Sequence, residues 1–144
     1  RPLGKLTMVN CASPHYLTRF GYPQSPDDLT SHAIVRYTPH LGVHPLGFEV
    51  ASVNGVQWFK SGGMLTVNSS ENYLTAGLAG LGIIQIPRIA MREALRAGRL
   101  IEVLPGSRAE PLSLSLVYPQ RRELSRRVNL FMQWLAGVMK EYLD

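Results

Sequence analysis

The stretch Leu65-Thr-Val-Asn68-Ser-Ser-Glu71-Asn-Tyr-Leu-Thr-Ala-Gly-Leu-Ala-Gly-Leu-Gly-Ile-Ile-Gln-Ile-Pro87 reads as strand, sharp turn, helix and strand. The rest of the chain is arranged around that unit. Leu65 and Val67 end a β-type run. Asn68, followed three residues later by Glu71, is a helix-start signature in which the Asn side chain accepts from first-turn N–H groups while Glu71 reaches back. Gly82 is expected to stop the helix. Such a junction points free backbone N–H groups out of the carboxyl end of a strand, where the helix dipole favours an anion. In open α/β sheets ligands sit at that edge. An ordinary cap with nothing bound explains the same residues, so the stretch alone leaves both readings open.

The flanking sequence supplies more strands and helices. Lys5 to Ala12 is an apolar run of strand length without helical period, as expected for a strand buried on both faces. Ser13-Pro14 opens a short helix, His15 to Phe20, that Gly21 ends, and Ser25-Pro26-Asp-Asp-Leu29 opens a second. Ala33 to Tyr37 is a strand, and Thr38 to Gly47 a loop broken by prolines and glycines. Phe48 to Val53, Asn54-Gly55 and Val56 to Lys60 form a hairpin, and Met64 to Val67 is the strand before the central helix. Ile83 to Ile86 is a buried strand. Pro87 starts a helix with Ala90, Met91, Ala94 and Leu95 on one face, closed by Gly98. Leu100 to Leu104 and Leu112 to Tyr118 complete the strands.

Ser125 caps the last helix, in which Val128, Phe131, Met132, Leu135, Val138, Met139 and Tyr142 form one apolar stripe. Fully buried, the stripe contributes on the order of 10 kcal/mol. Only the first strand and the Leu112 strand are left to receive it, and two strands with one helix make a poor lobe. The expected organisation is therefore α/β, with one complete lobe at about residues 12–113. An incomplete second lobe (1–11 and 114–144) is joined to it by two crossing strands, and the chain is expected to be a fragment.

Several functional classes find little support. With 144 residues, 45% of them hydrophobic, the chain has enough apolar material for a core, but its apolar runs fall short of the roughly 20 residues of a membrane span. One cysteine excludes an internal disulfide and fits a reducing compartment, so a cytoplasmic location is expected. The net charge of +5 admits nucleic acid, yet the only basic cluster, Arg121, Arg122, Arg126 and Arg127, reads as a solvated helix rim, with no helix-turn-helix and no zinc-ligand spacing.

Gly77-Leu-Ala-Gly80-Leu-Gly82 lies at the end of a helix and not at the start of one, so it is no dinucleotide loop; its glycines allow close helix packing. His40 and His44 share a loop whose prolines oppose a common metal. Cys11, within an apolar strand, reads as an inert thiol. No nucleophile elbow, His-Glu-x-x-His helix or phosphate loop is present. Neither an enzyme nor a cofactor nor a metal is expected.

Cys11-Ala-Ser-Pro-His-Tyr-Leu17, Gly21-Tyr-Pro23, Ser25-Pro-Asp-Asp-Leu29 with His32, and Val67-Asn68 stand in a fixed order. They are followed by Ala76-Gly-Leu-Ala-Gly-Leu-Gly-Ile83 with Pro87, Gly98-Arg-Leu100 with Val103-Leu-Pro105, and Val117-Tyr118-Pro119 before Leu124-Ser125. In that order they resemble the effector-binding domain of LysR-type transcriptional regulators, over nearly the whole chain. The resemblance implies a periplasmic-binding-protein-like fold (type 2) of two α/β subdomains joined by two crossing strands, with a small effector, an organic acid for example, in the cleft. It further implies a cytoplasmic homodimer or homotetramer that binds promoter DNA through an N-terminal winged helix-turn-helix, which this chain lacks along with the linker helix and the first part of subdomain I.

The matching site positions are Thr38, Pro39 and His40 in the loop after the Ala33 strand, Asn68, Ser69 and Ser70 at the cap of the central helix, and Ser13 and Tyr118 near the crossing strands. Hydroxyls and free N–H groups at strand ends are what orient a small carboxylate. The expected function is effector sensing that controls transcription through rearrangement of the oligomer. A solute-binding protein of a transport system, or a small enzyme on a related scaffold, are the alternatives.

Overall fold

A computed structural model describes residues 1–40, 42, 47–60, 62–63, 65–118 and 125–143. Expectations that involve Met64, His44, Pro119, Arg121, Arg122 and Leu124 fall outside these. The chain divides into two compact units, Met8–Glu110 and Arg1–Thr7 with Pro111–Asp144.

The larger unit is built on a mixed sheet. Its parallel part pairs β3 (Val35–Tyr37) with β6 (Leu65–Val67), in the register Val35–Leu65, Arg36–Thr66 and Tyr37–Val67. A single parallel bridge, Ile34–Ile83, joins that pair to β7 (Ile84–Pro87). β2 (Met8–Ala12) then runs antiparallel to both β7 and the short β8 (Ile101–Glu102). The strand order across the sheet is β6-β3-β7-β2-β8. The single strand expected over Lys5 to Ala12 is thus two, β1 (Pro2–Leu6) and β2, interrupted at Thr7 where the units divide.

Alternation along the strands sends side chains to two cores. On one face Val9, Cys11, Val35, Ile84 and Ile86 pack with Tyr73 and Ala76 of α2 (Ser70–Leu78) and with Met91 and Ala94 of α3 (Arg88–Arg96). On the other, Ala12, Ile34 and Ile83 pack with Tyr16 and Leu17 of α1 (Pro14–Phe20), Leu29 of a 3-10 turn (Pro26–Ser31), and Phe48 and Val50 of β4 (Phe48–Ser52).

The capping chemistry read in the sequence operates at both short helices. Ser13 accepts the N–H of Tyr16 at 3.2 Å, and Asp28 accepts those of Gln24 and Ser25 at 2.8 and 3.0 Å. The hairpin of β4 and β5 (Gly55–Phe59) forms one residue out of the expected register: Ser52 pairs with Gly55, so Val53 and Asn54 occupy the turn and Gly55 takes φ +108°. This is the geometry of a turn closed by a left-handed glycine at the start of the return strand.

The central helix also ends earlier than expected. Gly80, at φ +76°, provides the left-handed stop, and the N–H of Leu81 returns to Ala76 O at 3.0 Å. Gly82 does different work: a Cβ there would stand 2.6 Å from Ala33 O, so only glycine lets the chain run this close to the start of β3.

Two side-chain amides, of buried Asn10 and half-buried Gln85, tie the unit together. Asn10 donates to Leu104 O (3.2 Å) and Ser107 O (2.9 Å) and accepts from Gln85 Nε2 (2.9 Å). The other Gln85 amide proton goes to Glu49 O (2.7 Å), while its carbonyl accepts the Glu49 N–H (3.3 Å). Gln85 therefore docks the hairpin as a paired strand would.

In the smaller unit β1 pairs antiparallel with β9 (Leu112–Ser115), shorter than the expected Leu112 to Tyr118, and α4 (Arg126–Met139) follows the Ser125 cap. Of the apolar stripe only Met132 is buried; Phe131 is 57% exposed and Val138 42%.

Gln85→Ala removes three hydrogen bonds and leaves Asn10 Oδ1 and both backbone groups of Glu49 without them. Urea unfolding is expected to show a loss of about 3 kcal/mol. A second prediction concerns His32, buried beside the Tyr16 hydroxyl at 3.0 Å. Burial holds its pKa below the ordinary 6.5, against the opposing pull of Asp28. With the folded value depressed, the unfolded chain takes up the proton first, so this contribution is complete above about pH 6.5 and declines as pH falls below it. His32→Gln is expected to flatten the fall in melting temperature between about pH 7 and pH 5.

Candidate functional site

β3 and β6 are parallel neighbours, so the residues that follow them emerge side by side at one edge of the sheet. After β3 come Thr38, Pro39 and His40; after β6 come Asn68, Ser69 and Ser70. The N–H of Thr38 extends the ladder by donating to Val67 O at 2.9 Å, and its buried hydroxyl donates to His40 O at 2.8 Å. Thr38 therefore fixes the loop, while Pro39 and His40 are exposed on it.

Across from them the helix start differs in detail from the sequence reading. The cap of α2 is Ser69, whose hydroxyl accepts the N–H of Asn72 at 3.4 Å. Asn68 is exposed one residue earlier, so its amide is not spent on the cap. The first-turn N–H groups beyond it carry the positive end of the helix dipole. An exposed amide, a hydroxyl at Ser70 and those N–H groups form an edge suited to a small carboxylate.

Ser13 stands elsewhere. Cys11 pairs with Ile84 and Ile83 bridges Ile34, so Ser13 lies level with the beginnings of β3 and β7. Thr38 is four residues farther along from Ile34, roughly 13 Å at 3.3 Å per residue. Ser13 is buried as a helix cap beside Gly80, where a Cβ would meet its Oγ at 3.1 Å. Tyr118 belongs to the smaller unit and is 41% exposed. The structure thus brings together the residues after β3 and β6 and sets Ser13 on the opposite edge.

Sequence reasoning missed a groove of about 210 Å³ lined by Arg36, Tyr37, Phe48, Glu49, Trp58, Tyr73 and Gln85, among others. One signal was present: Gln85 is a lone polar residue among isoleucines, and Asn10 stands likewise in β2.

Cys11 is fully buried, and burial first, then the nearby Glu102 carboxylate, pushes its thiol up to about 12. Such a thiol is protonated and unreactive at neutral pH. Among the described residues no group of three or more His, Cys, Asp or Glu side chains could hold a metal, and no helix is long and apolar enough to cross a membrane.

The larger unit is thus a two-core α/β unit whose parallel strands β3 and β6 end at one edge. Residues 1–140 match the LysR substrate binding domain, and the chain belongs to that family. It is 99% identical over 144 residues to the HTH-type transcriptional regulator YhjC of Escherichia coli (strain K12), covering all of this chain and 48% of that protein. It is 28% identical over 143 residues to the HTH-type transcriptional activator AaeR of the same organism, covering 98% of this chain and 45% of that protein. The chain spans about half the length of the curated relatives it matches.

The solved regulatory domain of CrgA from Neisseria meningitidis superposes with a TM-score of 0.77 at 24% identity, over 96% of this chain and 67% of that one. Full-length AphB of Vibrio cholerae gives 0.79 at 24% identity, over 96% of this chain and 46% of that one. The fold is periplasmic-binding-protein-like, of type 2.

Ser69→Ala is expected to lower stability by about 1 kcal/mol, and Asn68→Ala by less than about 0.5 kcal/mol, in parallel urea titrations.

Proposed function

We propose that this chain is the effector-sensing part of a cytoplasmic transcriptional regulator, and that it takes a small organic acid at the edge formed by the loop after β3 and the start of α2. The observation that carries this reading is the juxtaposition of Thr38–His40 with Asn68–Ser70 beyond two hydrogen-bonded parallel strands. Asn68 and Ser70 contact the ligand; Thr38 acts by holding His40. The named relatives are HTH-type transcriptional regulators, which favours this reading over a transport solute receptor.

In the whole protein the acid changes the balance between two arrangements of a homodimer or homotetramer, and a winged helix-turn-helix elsewhere in the polypeptide reports that balance to promoter DNA. The acid acts only through its differential affinity for the two arrangements. The exposed face of α4, with Phe131 at 57% and Trp134 at 62%, supports the expectation that the working protein covers this helix.

The test is a thermal-shift screen of aromatic and aliphatic acids on the full-length polypeptide. A true effector at about 100 times its Kd adds roughly 2.7 kcal/mol and raises the midpoint by several degrees. Asn68→Ala and Thr38→Ala are expected to shrink that rise. Equal stabilisation of the wild type and both variants contradicts the assignment.

A further inference from the structure

The two strands of the hairpin differ in what their outer edges meet. Ser52 pairs with Gly55 across a two-residue turn, and from such a turn hydrogen-bonded and non-bonded pairs alternate along the ladder. Ser52–Gly55, Val50–Gln57 and Phe48–Phe59 are therefore the bonded pairs, whereas Glu49, Ala51, Val56 and Trp58 turn their backbone groups away from the hairpin. On the β4 side the outward N–H groups are taken, that of Glu49 by the Gln85 side chain at 3.3 Å and that of Ala51 by Arg108 O at 2.8 Å. On the β5 side, among the described residues, nothing takes the N–H or C=O of Val56 or Trp58.

Sheet edges left in this state are ordinarily blunted by proline, by charge, by a bulge or by a covering segment. Gly55-Val-Gln-Trp-Phe59 contains no proline and no charged residue, and its register with β4 runs without a bulge. Gly55, Val56, Gln57 and Trp58 are all exposed.

The outward groups of Val56 and Trp58 form a pattern complementary to itself. When two such strands meet antiparallel with Gln57 opposite Gln57, Val56 of each faces Trp58 of the other, and both pairs exchange N–H···O=C bonds. All four outward groups of each strand are then satisfied. Centring the pair on Val56 sets Trp58 against Asn54 in the turn, and centring it on Trp58 sets Val56 against Lys60 beyond the strand. The Gln57-centred register places an aromatic against a β-branched side chain twice on one face, a favourable cross-strand combination. On the other face it brings two Gln57 amides together, each able to donate to its twin, and it opposes no like charges.

We propose that β5 is a docking edge for a second copy of this chain, joining two hairpins into one four-stranded antiparallel sheet about a two-fold axis through Gln57. The contact uses neither the residues after β3 nor the start of α2, so it is independent of the effector reading. A five-residue edge buries less than the roughly 1,200 Å² of a standard interface, so it is a weak contact that adds to others within an assembly.

Sedimentation velocity of the full-length polypeptide over about 1–100 μM measures its self-association. Gln57→Lys and Gln57→Glu each set like charges against each other at the axis, and each is expected to weaken association about fivefold. An equimolar mixture of the two sets Lys against Glu and is expected to return association to within about twofold of the wild type. Opposed residues of a non-bonded pair have Cα atoms about 4.5 Å apart, within the reach of a disulfide, so Gln57→Cys is expected to cross-link chain to chain in oxidised glutathione well beyond the wild type. Circular dichroism of each variant establishes that it is folded.

The docking edge is overturned if both charged variants associate as the wild type does, or if Gln57→Cys cross-links no more than the wild type. Association lost in both charged variants and not restored by mixing them overturns the second copy as the occupant of the edge.

Discussion

The larger unit depends on a pair of side-chain amides, one buried and one half-buried. Asn10 and Gln85 sit opposite each other on β2 and β7, and together they use every amide proton and both carbonyls on partners from four separate segments. A buried polar group left without a partner costs about as much as several ordinary contacts contribute, so a network of this kind tolerates only one arrangement. It fixes the hairpin to β7, and it holds the turn in which Leu104 adopts φ +47°, a conformation that a bulky side chain otherwise avoids.

Where β3 and β7 stop pairing, the Tyr73 hydroxyl accepts the backbone N–H of Gln85, while the Gln85 side chain binds the hairpin. The parallel pair β3 and β6 projects its following residues at one edge.

Much of this was legible in the sequence because it is local. Ser13-Pro14 and Ser25-Pro26-Asp-Asp operate as caps within three or four residues, and the order of the strands and helices follows from short-range pattern. The family motifs, with residues 1–140 matching the LysR substrate binding domain, carried the fold class. At the two ends of the central helix the misplacements were one and two residues wide and arose where two nearby residues compete for one role. Ser69 takes the cap from Asn68 because the helix begins one residue later, and Gly80 stops the helix because Gly82 is committed to close approach with Ala33.

What was not legible is long-range. The register of β2 against β7 sets Ser13 on the far edge, and no local pattern encodes it. The groove joins residues from β3, the hairpin, α2 and β7, and its trace in the sequence was one polar residue, Gln85, in an apolar strand. Native-state hydrogen exchange of the Glu49 and Gln85 amides tests the central constraint most directly. If the amide network holds the hairpin and the parted strand, both exchange only through global unfolding, far more slowly than Val53 and Asn54 at the hairpin tip. Exchange of Glu49 or Gln85 at the rate of that tip would show that the network does not hold the unit together.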